Sequence, residues 1–83
     1  MSFAVGDRVR HRSQAVTGTV LGIFTGSPDI GFHRVDSAER ADSYYPVWYE
    51  VEYDVAQWHG DILRGHARTV RRNMHTEDVL EPV

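Results

Sequence analysis

The chain has 83 residues, of which twelve are acidic and nine are arginine, and it contains neither lysine nor cysteine, for a formal net charge of −3. This length supports one domain with a single modest core, and the absence of cysteine excludes a disulfide framework and a thiolate metal site. Because the chain is acidic overall, contact with nucleic acid would require a local basic patch.

The first half of the chain predicts two strands and a long connection. Residues 7–12 alternate basic with other side chains, and residues 17–24 have the β-branched and aromatic content of a strand. Gly18 and Gly22 inside the second segment predict bulges or bends in a curved sheet. Residues 25–44 are expected to be a long loop, which in so small a domain is usually functional or mobile.

The second half contains the clearest alternation in the chain. Residues 47–54 place one set of side chains on a buried face and the other on a wet face. The buried set is Val47, Tyr49, Val51 and Tyr53, and the wet set is Trp48, Glu50, Glu52 and Asp54. Residues 55–65 are expected to be a second loop, residues 66–74 a fourth strand, and residues 76–82 a tight turn with its apolar side chains inward.

These elements predict an all-β fold in which residues 1–83 form one domain. We expect a small SH3-like barrel of four to five antiparallel strands, with a long loop between strands 2 and 3 and a short C-terminal turn. Closing the sheet on itself avoids open strand edges, whereas a flat sheet would leave one face in need of a partner.

Five short motifs follow one another along most of the chain. They are Phe3-x-Val5-Gly6-x-x-Val9-Arg10-His11, Gly18-x-Val20-x-Gly22-Ile23, Ser27-Pro28-Asp29, Pro46-x-Trp48-Tyr49-x-Val51 and Glu77-x-x-Leu80-Glu81-Pro82. Together they resemble the HspQ/YccV-like domain. The resemblance implies a small bacterial β-barrel that binds hemimethylated DNA or a protein of the quality-control machinery.

A second, shorter motif resembles another family. The segment Phe3-x-x-Gly6-Asp7-Arg8-Val9-Arg10-x-x-Ser13-x-Ala15 is similar to the start of the type II dihydrofolate reductases. Those proteins are SH3-like barrels that assemble one active site from four subunits, with a Val-Gln-Ile-Tyr strand lining the pore. This chain has Thr69-Val70-Arg71-Arg72 at the matching place, so the resemblance implies the barrel and leaves a homo-oligomeric pore enzyme as the alternative function.

Arginines are the candidate nucleic-acid ligands. The predicted set is Arg8, Arg10 and Arg12 on the first strand, extended by Arg71 on the last. Alternation spaces the first three by about 6–7 Å on one face, close to the repeat of phosphates along a nucleic-acid strand. The competing interpretation is cross-strand neutralisation by the acidic stripe Glu50, Glu52 and Asp54, which would leave no charge for a ligand.

Aromatic side chains are the candidate partner-binding residues. The predicted set is Trp48, Trp58, Tyr44 and Tyr45. Exposed aromatics that cluster often anchor a peptide, a base or a second subunit, and a homodimer through this surface is the favoured variant. Alternatively, the 25–44 loop folds back over Trp48 and buries it.

No motif in the sequence amounts to a catalytic site. Histidines at 59, 66 and 75 with Asp61 have a permissive loop spacing, so we expect no metal site, and His11 should face the interior or its rim. Nucleophile-elbow and phosphate-loop motifs are missing from the sequence. We therefore expect a cytoplasmic, non-enzymatic binding module without cofactor or membrane contact, whose partner is a protein, a second copy of itself or duplex DNA.

Overall fold

The computed structural model describes residues 2–40, 45–60, 64–65 and 67–83. This part of the chain is all-β and antiparallel, as predicted. Its six strands are β1 (Arg8–His11), β2 (Thr17–Ser27), β3 (Gly31–Val35), β4 (Val47–His59), β5 (Arg68–Thr76) and β6 (Leu80–Pro82), with short 3₁₀ turns at Ala38–Arg40 and Glu77–Val79. None of the helical turns in these ranges has the length and apolar content needed to cross a membrane.

The strands form an open sheet in the order β5-β4-β2-β1-β6, and β3 pairs with the end of β2. The long strand β2 therefore organises the sheet, since it pairs with β1, β3 and β4 in turn. The last strand, β6, returns to pair with the first, which places both ends of the chain along one side of the sheet.

One face of the sheet carries the core. Its buried side chains are Phe3, Val9, Val20, Ile23, Tyr49, Val51, Tyr53 and Leu80. The predicted inward set on β4 is buried as expected, with Val47 half-buried at the strand's start. On β2, Val20 and Ile23 are three residues apart yet both face inward, because a register shift between Val20 and Gly22 adds one residue to the strand.

Gly18 marks the closest approach of β2 to β4. A Cβ atom at this position would lie 2.5 Å from the backbone oxygen of Glu52 and 2.7 Å from Cγ1 of Val51. No side chain fits between the two strands there, so the glycine lets β2 pack against β4 directly.

The segment at 25–44 differs from the predicted loop. Strand β2 continues to Ser27 and turns at Pro28–Ile30, and β3 then pairs with it from Gly31 to Val35. Gly26 and Gly31 have φ values of 136° and 95°, a conformation that favours glycine. The burial pattern of β3 is almost uniformly exposed, so its sequence lacks the alternation by which a strand is recognised.

Two further strand boundaries differ from the sequence-based expectation. Strand β4 continues through His59 where a loop was predicted, because its distal half pairs with β5 rather than with the core of the sheet. The predicted closing turn is a 3₁₀ turn followed by β6, whose Leu80 is buried. The described residues thus contain six strands, whereas four to five were predicted.

Candidate binding surfaces

Arg8 is held by a carboxylate on the far side of β2. Its Nη1 and Nη2 atoms donate to Oδ1 and Oδ2 of Asp54 at 2.7 and 2.5 Å, and Thr17 donates to Oδ2 of the same carboxylate at 2.6 Å. The hydrogen bonds from Arg8 and Thr17 hold the pKa of Asp54 well below its usual range. The same pairing raises the pKa of Arg8, so this arginine is neutralised within the chain.

Two more arginines face carboxylates. Nη1 of Arg10 lies 3.7 Å from Oε1 of Glu81, its neighbour on β6, and Nε of Arg72 donates to Oε2 of Glu52 at 3.2 Å. All four side chains are substantially exposed, so each pair contributes only about 0–1 kcal/mol to stability. Their consequence is electrostatic, since each cation has an anion beside it.

Arg12 and Arg71 instead donate to backbone oxygens. Nε of Arg12 reaches the carbonyl of Leu80 at 3.1 Å, and Nη2 of Arg71 reaches those of Tyr53 and Asp54 at 3.3 and 3.1 Å. Arg71 thereby supplies a donor at the point where the pairing of β4 with β5 shifts register. The four predicted arginines do not share one free face: Arg8 and Arg71 converge on Asp54, while Arg10 and Arg12 lie beside β6.

Trp48 belongs to an aromatic cluster on the outer face of the sheet. The three rings of this outer aromatic cluster are Phe24 on β2, Phe32 on β3 and Trp48 on β4. The Phe32 and Trp48 ring centroids are 5.3 Å apart in an edge-to-face arrangement, and Nε1 of Trp48 donates to the carbonyl of Gly26 at 3.0 Å. Residues of the 25–44 segment thus partly cover Trp48, as the alternative interpretation proposed, but all three rings keep some exposure.

Trp58 lies on a different surface. Pairing between β2 and β4 ends at Gly18 and Tyr53, and beyond it β4 and β5 form a two-stranded ribbon among the described residues. We call residues 55–59 and 68–70 the ribbon tip. Within it, Val55 is 70% and Trp58 is 68% exposed. Trp48 and Trp58 pair with Thr76 and Thr69, which are seven residues apart on β5, or roughly 20–25 Å, so the two tryptophans cannot contact the same small ligand.

The two predicted tyrosines add little to either surface. Tyr45 lies just before β4 and is 40% exposed. Tyr44 falls outside the described residues. Sequence reasoning missed Phe24 and Phe32, although a pairing of β3 with β2, had it been recognised, would have placed both beside Trp48.

A polar chain of side chains runs along the inner face. The Tyr53 hydroxyl is hydrogen-bonded to Nε2 of His75, whose ring meets that of His11 edge-on at 5.0 Å, and Nδ1 of His11 accepts from the backbone N–H of Ser13 at 3.2 Å. Burial, with a smaller contribution from His11, lowers the pKa of His75 to about 4. Burial also raises the pKa of Tyr53.

The structure shows where the histidines considered in the sequence analysis lie. His11 lies at the rim of the interior and is hydrogen-bonded, as expected, whereas His75 is half-buried rather than a surface residue. Asp61 and His66 fall outside the described residues. Within the described ranges, no three His, Asp or Glu side chains are grouped to hold a metal ion.

An open groove of about 520 Å³ lies at the end of the sheet where β4 begins. Its floor is apolar, formed by Phe3, Val47 and Leu80, and Arg12 and Asp78 stand at its rim. The volume falls in the range of small-molecule sites, but both core side chains of the floor, Phe3 and Leu80, are almost fully covered. A ligand there would contact mainly the rim.

Comparisons of the chain with protein-family models, curated proteins and solved structures find no match. Its function must therefore be inferred from the surfaces themselves. Two of them have exposed aromatic side chains, the outer aromatic cluster and the ribbon tip, and the arginines predicted to bind phosphate are engaged within the chain.

Proposed function

We propose that this chain is a non-enzymatic binding module with an SH3-like barrel fold. Pairing of the first strand with the last, and the 3₁₀ turn directly before β6, support the barrel. So does the ring contact between His11 on β1 and His75 on β5, because these strands are not neighbours in the sheet and meet only if it curls.

The main partner of the module is a protein, and the observation that carries this is the exposure of Trp58. Trp58 is 68% exposed, and a tryptophan with this much apolar surface in water is a common anchor of protein interfaces. Arg68 is the cross-strand partner of His59, the residue next to Trp58, and so places a positive charge beside this surface. A fitting partner offers an apolar pocket beside carboxylates.

Duplex DNA is the second candidate, supported by the resemblance to HspQ/YccV-like domains. Phosphates would have to displace the carboxylates that hold Arg8, Arg10 and Arg72, and the net charge of −3 opposes approach to a polyanion. Both observations favour a protein over DNA.

Site-specific photo-crosslinking tests the partner. A benzophenone amino acid replaces Trp58 in the cells from which the chain derives, and Val83, 63% exposed at the chain's end, serves as the control position. We expect a discrete protein adduct from position 58 that Arg68→Glu weakens, with none of that mass from position 83. Equal labelling from the two positions would contradict a partner site at the ribbon tip.

A binding titration tests the DNA candidate. Labelled hemimethylated and unmethylated duplexes are compared by fluorescence anisotropy at several salt concentrations. We expect weak binding without methylation preference and a log–log salt slope shallower than about −1, since few arginines are free to contact phosphate. A slope near −3 with preference for the hemimethylated duplex would establish the DNA function instead.

The alternative from a different class is a subunit of a pore enzyme of the type II dihydrofolate reductase kind. That function requires four copies around a common pore. Mass in solution separates the two: a monomer or dimer agrees with the binding module, whereas a tetramer that oxidises NADPH in the presence of dihydrofolate would overturn it.

A further inference from the structure

The outer face of the sheet combines apolar rings with two charges of opposite sign. One cross-strand row contains Arg34 on β3, Phe24 on β2 and Trp48 on β4, because each is the register partner of the next. The adjacent row contains Gly22 and its partner Glu50. Paired residues in a sheet point to the same side, so these side chains share the face opposite the core.

Neither charge is used in an ion pair by the residues that the structure describes. The guanidinium of Arg34 lies over the ring of Phe24, 4.7 Å from its centroid, and Glu50 is half-buried without a basic neighbour in contact. This contrasts with the other outward arginines Arg8 and Arg72, each of which is paired with a carboxylate. An apolar patch that keeps one cation and one anion unpaired is suited to a partner with the reverse arrangement.

We propose that the partner on this face is a second copy of the chain, bound as a two-fold symmetric dimer. In such an interface the same patch meets itself, so a patch that contains one cation and one anion can be complementary to its own copy. Each Arg34 then pairs with Glu50 of the other protomer, twice per dimer. The rings of the outer aromatic cluster supply the apolar contact around these pairs.

Gly22 gives this arrangement a place for the symmetry axis. A Cβ atom there would lie 2.6 Å from Nη1 of Arg34, so the guanidinium rests directly on the glycine, next to Glu50 on the neighbouring strand. An axis passing near Gly22 brings the two charge pairs together at a residue that has no side chain to keep the two sheets apart. A two-fold axis that crosses the line from Arg34 to Glu50 at a right angle places each cation beside the anion of the other protomer, so an identical copy supplies both opposite charges.

The dimer goes beyond the proposed function, because it uses a separate surface. Trp58 of the ribbon tip lies roughly 20–25 Å from the outer aromatic cluster and stays accessible in the dimer. Each protomer would present its own Trp58, so the assembled module offers two partner sites and gains avidity for a partner with repeated epitopes.

Charge reversal tests the proposed pairing through the dimer dissociation constant, measured by sedimentation equilibrium at neutral pH. We expect the unmodified chain to dimerise, and Arg34→Glu and Glu50→Arg each to raise the Kd about tenfold or more, since like charges then face one another. The double variant restores the opposite-sign pairs and should return the Kd to within about threefold of the original. Circular dichroism confirms that each variant is folded.

Matched controls change the same charges away from the outer face. Asp29→Arg lies in the β2–β3 turn and Arg68→Glu in the ribbon tip, and both should leave the Kd unchanged. A chain that remains monomeric at several hundred micromolar, single variants that dimerise normally, or a double variant that does not recover would each overturn the proposal.

The alternative is that Arg34 pairs with Glu50 inside one protomer. Each single variant would then have a lower free energy of unfolding, while its mass in solution would equal that of the unmodified chain. That result would refute the dimer. Crosslinking from position 58 detects the protein partner whether or not the chain dimerises. Failure of the dimer and failure of the proposed function are therefore distinguishable.

Discussion

Replacing Gly18 by alanine should strongly destabilise this sheet. The added Cβ would lie 2.5 Å from the backbone oxygen of Glu52, well inside contact distance, and 2.7 Å from Cγ1 of Val51. A backbone atom within a paired strand cannot rotate away, and Val51 is 1% exposed, so β2 and β4 must separate locally. We expect the variant to fold with a distorted ladder rather than to accommodate the methyl group.

The size of the effect follows from three contributions. Overpacking in a filled interior costs about 1–3 kcal/mol, and lengthening a ladder hydrogen bond costs about 1 kcal/mol. Alanine recovers about 0.5–1 kcal/mol because it restricts the unfolded chain more than glycine does. The net loss is about 1–3.5 kcal/mol, or a fall in Tm of about 4–28 °C for a domain of this size.

Gly22→Ala is the matched control. Its Cβ would also meet an atom at 2.6 Å, but that atom is Nη1 of Arg34, the end of a flexible exposed side chain. We expect a loss below about 1 kcal/mol. Urea unfolding followed by circular dichroism, at a protein concentration at which sedimentation shows each variant to be monomeric, gives both free energies. Losses that agree within about 0.5 kcal/mol would refute the claim that backbone rigidity at Gly18 decides the cost.

Three further predictions concern titration, exposure and the arginines. The pKa of His75 is about 4 in the folded chain and near 6.5 when unfolded, so between pH 6.5 and pH 4 the unfolded chain binds more protons at this residue than the folded chain does. Stability should fall by about 1–2 kcal/mol from pH 6.5 to pH 4, and His75→Gln should flatten that part of a pH series of urea unfolding curves. Acrylamide should quench the fluorescence of a Trp48→Phe variant, which retains exposed Trp58, more than that of Trp58→Phe; equal quenching would contradict the exposure of the ribbon tip. Asp54→Asn should release Arg8 and steepen the salt slope of duplex binding by about one, and an unchanged slope would show that Asp54 does not withhold Arg8 from phosphate.

The inward and outward faces of β4 could be predicted because they depend only on local geometry. Successive side chains of any strand point to opposite sides, so the pattern from Val47 to Tyr53 specified the buried face before any partner strand was known. The bulge beside Gly22 was predicted from local chemistry as well, because glycine inside a strand pattern, with no side chain and a permissive backbone, indicates a bulge or a bend.

Tertiary structure decided which of these side chains meet. The arginines on β1 had the alternation of a phosphate-binding stripe, but Asp54, 46 residues away in sequence from Arg8, reaches it across β2 and neutralises it. Phe32 joins Trp48 because β3, too polar to be recognised as a strand, pairs with β2. His75 is half-buried where its ring meets that of His11, on a strand that is not its neighbour in the sheet. Alternation is a property of one strand and can be read from its sequence, whereas charge pairing, ring contacts and burial depend on the order and curvature of several strands.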